Sequence, residues 1–139
     1  MYVLDHVKSG IFYLSKVAAF IILAHSAVIS AHIHLSPPAI DFGRMPVGDR
    51  AICDSVCITA TGAEDMIVDS LVISGNEHVD FYLRGHGTDF PRTIVPGEEN
   101  AMHFSVICDP LYVGAVIDTL LIYVREQDGS PFEIPLHCE

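Results

Sequence analysis

The sequence predicts an all-β sandwich of seven or eight short strands, preceded by an apolar N-terminal helix. Three observations carry this. After Ala31 the chain breaks into short apolar runs that alternate in polarity, the period of a half-buried strand. Clusters of Gly, Pro, Asn and Asp separate those runs at roughly ten-residue intervals, the spacing of sandwiches. Helical periodicity is nearly absent over the same stretch.

The residues before the sandwich read as an address. Lys16 precedes VAAFIILAHSAVISA, and small residues end the run at Ser30 and Ala31. A positive flank, an apolar centre of about 7–15 residues and a small-residue cleavage site define a secretory signal. Residues 1–31 are therefore expected to be a cleaved signal peptide, with a retained membrane anchor as the alternative. The run is interrupted by His25 and is short for a span of about 20 residues. Residues 32–139 are expected to form the folded domain, which is exported to the periplasm, the cell surface or the medium.

The strands follow in order. Pro37-Pro38 forbids helix and sheet interior alike. Ile40-Asp41-Phe42 alternates as a short edge strand, and Gly43 and Pro46-Val47-Gly48 turn the chain. Residues 50–59 form a second strand, with Ile52, Val56 and Ile58 on one face and Cys53, Ser55, Cys57 and Thr59 on the other. Residues 66–74 form a strand, or a pair bent at Asp69-Ser70. Residues 78–84 carry Val79, Phe81 and Leu83 on one face. A short run at 93–96 leads into the Gly97-Glu98-Glu99-Asn100 turn. Residues 101–108 place Met102, Phe104, Val106 and Cys108 against His103, Ser105 and Ile107. Residues 115–124 are the most apolar strand. Asp128-Gly129 tips a hairpin into a last strand at 132–136.

Charge excludes one class of partner. Seven Lys+Arg stand against eighteen Asp+Glu, a net charge of −11. Beyond Ala31 there are five arginines, no lysine and seventeen acids, hence −12. Nucleic-acid binding requires a cationic footprint, which this chain lacks. An anionic membrane surface repels it as well, so membrane contact is expected only if the first helix is retained.

The order of landmarks resembles the immunoglobulin-like ASH domain, named for abnormal spindle, SPD-2 and hydin and related to major sperm protein. Bacterial choice-of-anchor D proteins carry it too. The resemblance rests on Pro38-Ala39-Ile40-Asp41-Phe42-Gly43 with Val47-Gly48, then Val56-Cys57-Ile58-Thr59-Ala60-Thr61-Gly62 and Leu71-Val72-Ile73-Ser74-Gly75. Phe81, Ile94-Val95-Pro96-Gly97-Glu98, Val106-Ile107-Cys108-Asp109-Pro110 with Gly114, and Thr119-Leu120-Leu121-Ile122 complete it. Ala60, Cys108 and Cys138 depart from the pattern. The resemblance implies an immunoglobulin-like fold and a non-enzymatic module that binds or scaffolds proteins, here a component of an envelope or surface assembly. Pairing of an exposed edge strand is one route to a partner. The candidate edges are Ile40 with Phe42, and Phe132 with Ile134 in the last strand.

Four cysteines follow the address, Cys53, Cys57, Cys108 and Cys138, and an even number in an exported chain favours disulfides. Cys53 and Cys57 lie four residues apart on one strand, about 13 Å, whereas a disulfide spans under about 7 Å. Cys53 with Cys108 and Cys57 with Cys138 remain, or the reverse. An immunoglobulin-like topology favours Cys53 with Cys108, since the second and fifth strands are then antiparallel neighbours. The face assignment opposes it, with Cys108 inward and Cys53 outward. Buried free thiols are the alternative. No C-x-x-C spacing suggests zinc.

No catalytic residue or cofactor is assigned. The Gly85-His86-Gly87-Thr88-Asp89 loop has triad residue types, but neighbours in one loop rarely converge as a triad. Glu98-Glu99, Glu126 and Asp128 are turn acids without an apolar pocket. The one metal reading is copper. Cleavage after Ala31 exposes an amino-terminal His32, whose amine and imidazole, with His34 and then His86 or His103, form a nitrogen set that copper prefers. Otherwise His32 and His34 lie in a loose leading segment.

Overall fold

A computed structural model describes residues 31–75, 80–85, 87 and 89–139. The expected signal or anchor helix, along with Val79, His86 and Thr88, lies outside the described residues. Among the described residues nine strands form two facing sheets: β1 (His32–Ser36), β2 (Ile40–Asp41), β3 (Ala51–Thr61), β4 (Met66–Ile73), β5 (Phe81–Arg84), β6 (Arg92–Ile94), β7 (Met102–Cys108), β8 (Val116–Val124) and β9 (Phe132–Cys138). The first sheet runs β1-β3-β7-β5 and the second β2-β9-β8-β4-β6. Every pairing is antiparallel except that of β2 with β9.

The chain changes sheet at every connection but one. Only β8 and β9 are consecutive strands that also pair, through the turn at Asp128-Gly129. Pro37 and Pro38 mark the first change. Without an N–H they end the β1 ladder, and Ile40 resumes on the opposite sheet.

The core fills the gap between the sheets. Val56, Ile58, Phe104 and Val106 face Met66, Val68, Leu120, Ile122, Ile134 and Leu136. Each contributes on the order of 1.5–3 kcal/mol by leaving water.

Two bulges reset which residues reach that core. In β3, Asp54 and Ser55 between Cys53 and Val56 oppose the single residue Ser105 on β7. The extra residue reverses the alternation. Before the bulge Cys53 packs on the core and Ile52 is exposed, so the expected faces of these two are exchanged. After it Val56 and Ile58 point inward as expected. In β4 a second shift between Val68 and Ser70 keeps one continuous strand where a bend was the alternative.

Two further expectations are corrected. The strands among the described residues number nine, because β1 forms where a loose leading segment is expected; Ile33 and Leu35 pack on the core and hold it. The last strand is an edge over only part of its length: β2 pairs beside Leu136 and His137, whereas Phe132 to Pro135 pair with β8 alone. Ile107 turns away from the core as expected, and is buried between Ile52 on β3 and Tyr82 on β5.

Candidate functional site

The most distinctive surface is the end of the sandwich where β7 and β9 finish. Asp80 is almost wholly buried there. Its carbonyl accepts the Asp109 N–H at 2.7 Å, and its carboxylate accepts the Leu111 N–H at 2.8 Å. The Arg50 guanidinium donates to Asp109 Oδ2 at 2.8 Å and lies 5.6 Å from the centre of the Tyr82 ring. Gly48 N–H donates to the Pro110 carbonyl at 3.3 Å. These contacts tie the stem of the β7–β8 loop to two other segments, the residue before β5 and the β2–β3 connection.

The other sheet closes the same end. Phe42 N–H donates to the His137 carbonyl, Glu139 N–H to the Gly43 carbonyl and Met45 N–H to the Glu139 carbonyl. His137 Nδ1 lies 3.0 Å from Asp41 Oδ1, which also accepts the Gly43 N–H at 2.8 Å. The Gly43 hydrogen bond first, and the His137 contact second, hold the Asp41 carboxyl below its ordinary pKa.

On this pinned stem the loop tip is apolar and open to solvent. Val113 is 96% exposed and Ile117 76%, with Leu111, Tyr112 and Val47 exposed beside them. An open hollow of about 380 Å³ lies on one side of the tip, bounded by Asp80, Tyr112 and Ile117. Another of about 490 Å³, bounded by Arg44, Met45, Pro46 and Glu139, lies on the other. Exposed apolar side chains gathered in one place mark a contact surface more often than scattered ones do. The run Leu111-Tyr112-Val113 was in the sequence. Its exposure was not legible, because the same residues read equally well as a buried connection.

The side chains expected to mark interaction edges turn toward the core. Ile40 and Ile134 are buried in the core, and Phe42 packs on it with its ring 6.1 Å from that of Phe81. Phe132 is half-buried against the core. β2 is an edge strand as expected; the other outer strands are β1, β5 and β6.

His32 and His34 project from the outer face of edge strand β1, both exposed. His103 lies on the same outer face of β7, but β3 intervenes: Ser36 is opposite Cys57, which is opposite His103. The backbones of His34 and His103 are thus on the order of 10 Å apart by strand spacing. Among the described residues no three His, Cys, Asp or Glu side chains gather to hold a metal. Glu98, Glu99, Glu126 and Asp128 are exposed turn residues, as read from the sequence.

The cysteines are rearranged most. Cys108 and Cys138, the last residues of β7 and β9, are buried with their sulfurs 2.9 Å apart. Cys53 is registered with Val106 rather than with Cys108, and the bulge sends Cys53 and Cys57 to opposite faces of β3. The preference for Cys53 with Cys108 is therefore replaced by a juxtaposition across the two sheets. The juxtaposition is not legible in the sequence, where Cys108 and Cys138 are matched only to the two cysteines of β3.

No family model matches the chain, and no curated protein does. Among solved structures it is similar to a protein of unknown function from Porphyromonas gingivalis W83, at 16% identity and a TM-score of 0.62 over 84% of this chain and 50% of that one. It is also similar to WR4, a C. elegans MSP family member, at 13% identity and a TM-score of 0.51 over 77% of this chain and 97% of that one. The Vibrio cholerae VesB protease matches at 14% identity and a TM-score of 0.54 over 83% of this chain and 32% of that one. The chain thus spans about half of the first and a third of the protease. These likenesses show the fold, an immunoglobulin-like β-sandwich.

Proposed function

We propose that the chain is an exported, non-catalytic module of the ASH type that serves as one component of an envelope or surface assembly. The observation that carries the reading is the apolar tip around Val113, raised on a stem that Asp80 and Arg50 hold rigid. A pre-organised apolar knob loses little entropy on docking, which favours it as an anchor. The five arginines and seventeen acids beyond Ala31 define the partner's chemistry. It is a protein with an apolar socket rimmed by basic side chains, since complementary charge speeds and orients encounter.

The test is site-specific photo-crosslinking of the full chain in its native cell. A crosslinker at Val113 is expected to trap one defined envelope protein whose contact site is apolar and basic. The same group at Thr93, exposed on β6 at the other end of the second sheet, is expected to trap none. Equal labelling from both positions, or none from Val113, removes the reading.

A further inference from the structure

We propose that Cys108 and Cys138 are joined by a disulfide that bolts the two sheets together. It is independent of the proposed partner surface and goes beyond it.

The geometry is specific to this pair. Cys108 closes β7 in the first sheet and Cys138 closes β9 in the second, so the bond ties elements that share no backbone ladder. Both side chains are buried in the common core, with Sγ atoms 2.9 Å apart. An S–S bond of about 2.05 Å is a small side-chain adjustment from that placement. The other pairings are worse. Cys57 faces away from the core. Cys53 faces it, but stands opposite Val106, which places it diagonal to Cys108, a cross-strand separation of roughly 7–8 Å between Cα atoms.

The chemistry balances with a disulfide donor, either an oxidoreductase or a small-molecule disulfide. One cysteine thiolate attacks the donor's S–S bond and expels one thiol. The second thiolate then attacks the mixed disulfide and expels the other. The two protein thiols lose two protons and two electrons, and the donor leaves as two thiols. Burial, the neighbouring Cys138 thiol and the charges of Asp80 and Asp109 push the Cys108 thiol well above its ordinary pKa. The folded dithiol therefore exchanges poorly, and the bond forms while the chain is still folding. Once formed, it is shielded from reductant by the same burial.

Arginine positions make the test direct. Trypsin cuts after Arg50, Arg84, Arg92 and Arg125, which places Cys53 and Cys57 in residues 51–84, Cys108 in 93–125 and Cys138 in 126–139. The full chain is reduced, refolded with oxidised and reduced glutathione, alkylated under denaturing conditions and digested. The expected product is peptide 93–125 joined to 126–139 and released by reductant, with both cysteines of 51–84 alkylated. Four alkylated cysteines, or peptide 51–84 joined to either of the others, overturns the proposal. Thermal melts supply a second readout. Reductant present throughout refolding is expected to lower the wild-type midpoint by about 10 °C or more, and to leave a folded Cys108→Ala/Cys138→Ala variant unmoved. An unmoved wild-type midpoint overturns the proposal, and if the double variant does not fold, the peptide map decides alone.

Discussion

Asp118 and Gly75 are in closest approach across the turn that follows β4. Asp118 Oδ1 accepts the Gly75 N–H at 2.8 Å, the Ser74 hydroxyl at 2.8 Å and its neighbour Thr119's N–H at 2.7 Å. A Cβ on residue 75 would sit 2.5 Å from Asp118 Oδ2. Glycine is required there for space, because the carboxylate that satisfies the turn occupies the volume a side chain needs. Gly75→Ala is expected to destabilise by about 1–3 kcal/mol, the cost of overpacking a fitted site. Asp118→Ala is expected to cost at least about 2 kcal/mol by stranding three donors. Urea denaturation midpoints measure both, and an unchanged midpoint for Gly75→Ala contradicts the close approach.

A buried residue of β9 and an exposed residue of the β7–β8 loop separate stability from docking. Ile134 is fully buried, so Ile134→Ala is expected to cost about 2–5 kcal/mol. Val113 touches solvent almost everywhere, so Val113→Asp is expected to change stability by under about 0.5 kcal/mol while abolishing the partner trapped by a crosslinker moved to Tyr112. Partner loss caused by Ile134→Ala is expected only in proportion to the unfolded fraction. Quantitative crosslinking beside a denaturation curve distinguishes the two.

Acid is expected to loosen the contact between Asp41 and the last strand. The Asp41 carboxyl, held by the Gly43 N–H and His137, has a folded pKa below its ordinary 3.8. A carboxylate with a depressed folded pKa stabilises the fold above its unfolded pKa and loses that contribution as pH falls through the folded value. The stability difference between wild type and Asp41→Asn is therefore expected to shrink to nothing in strong acid. Titration of the Asp41 carboxyl by NMR checks the cause, and a midpoint at or above 3.8 refutes it.

Thiol reactivity is expected to divide the cysteines in the reduced, folded protein. Cys53 and Cys57 are half-buried, whereas Cys108 and Cys138 are buried. Only the thiolate is nucleophilic, and the Cys108 pKa is raised. A maleimide is expected to label the first two natively and the second two only after denaturation. Mass mapping of the labelled peptides shows which pair reacts, and rapid native labelling of Cys138 counts against the packing described.

Export is checked by intact mass. The natively produced protein is expected to begin near His32 if residues 1–31 are removed, and at Met1 if the apolar segment is kept as an anchor.

Most of the strands were legible because the alternation of buried and exposed side chains is a local property. Phe104 and Val106, or Leu120 and Ile122, declare their face by sequence alone, since the pleat repeats every two residues. The Asp128-Gly129 hairpin was legible for the same reason: β8 and β9 are neighbours in the chain and in the sheet. Ile52 and Cys53 were misassigned because a bulge adds one residue and no local signal at that point distinguishes it from regular strand. The exposed tip at Val113 is a question of what covers a residue, which composition does not answer.

The amino-acid sequence by itself determined a β-sandwich, an acidic surface and the turns that punctuate both. The tertiary structure alone decided that β2 pairs beside β9, that Asp80 braces the β7–β8 loop and that the sulfurs of Cys108 and Cys138 meet. The reason is connectivity. All but one of the strand-to-strand connections change sheet, so these partners come together only when two separately built sheets close on one core.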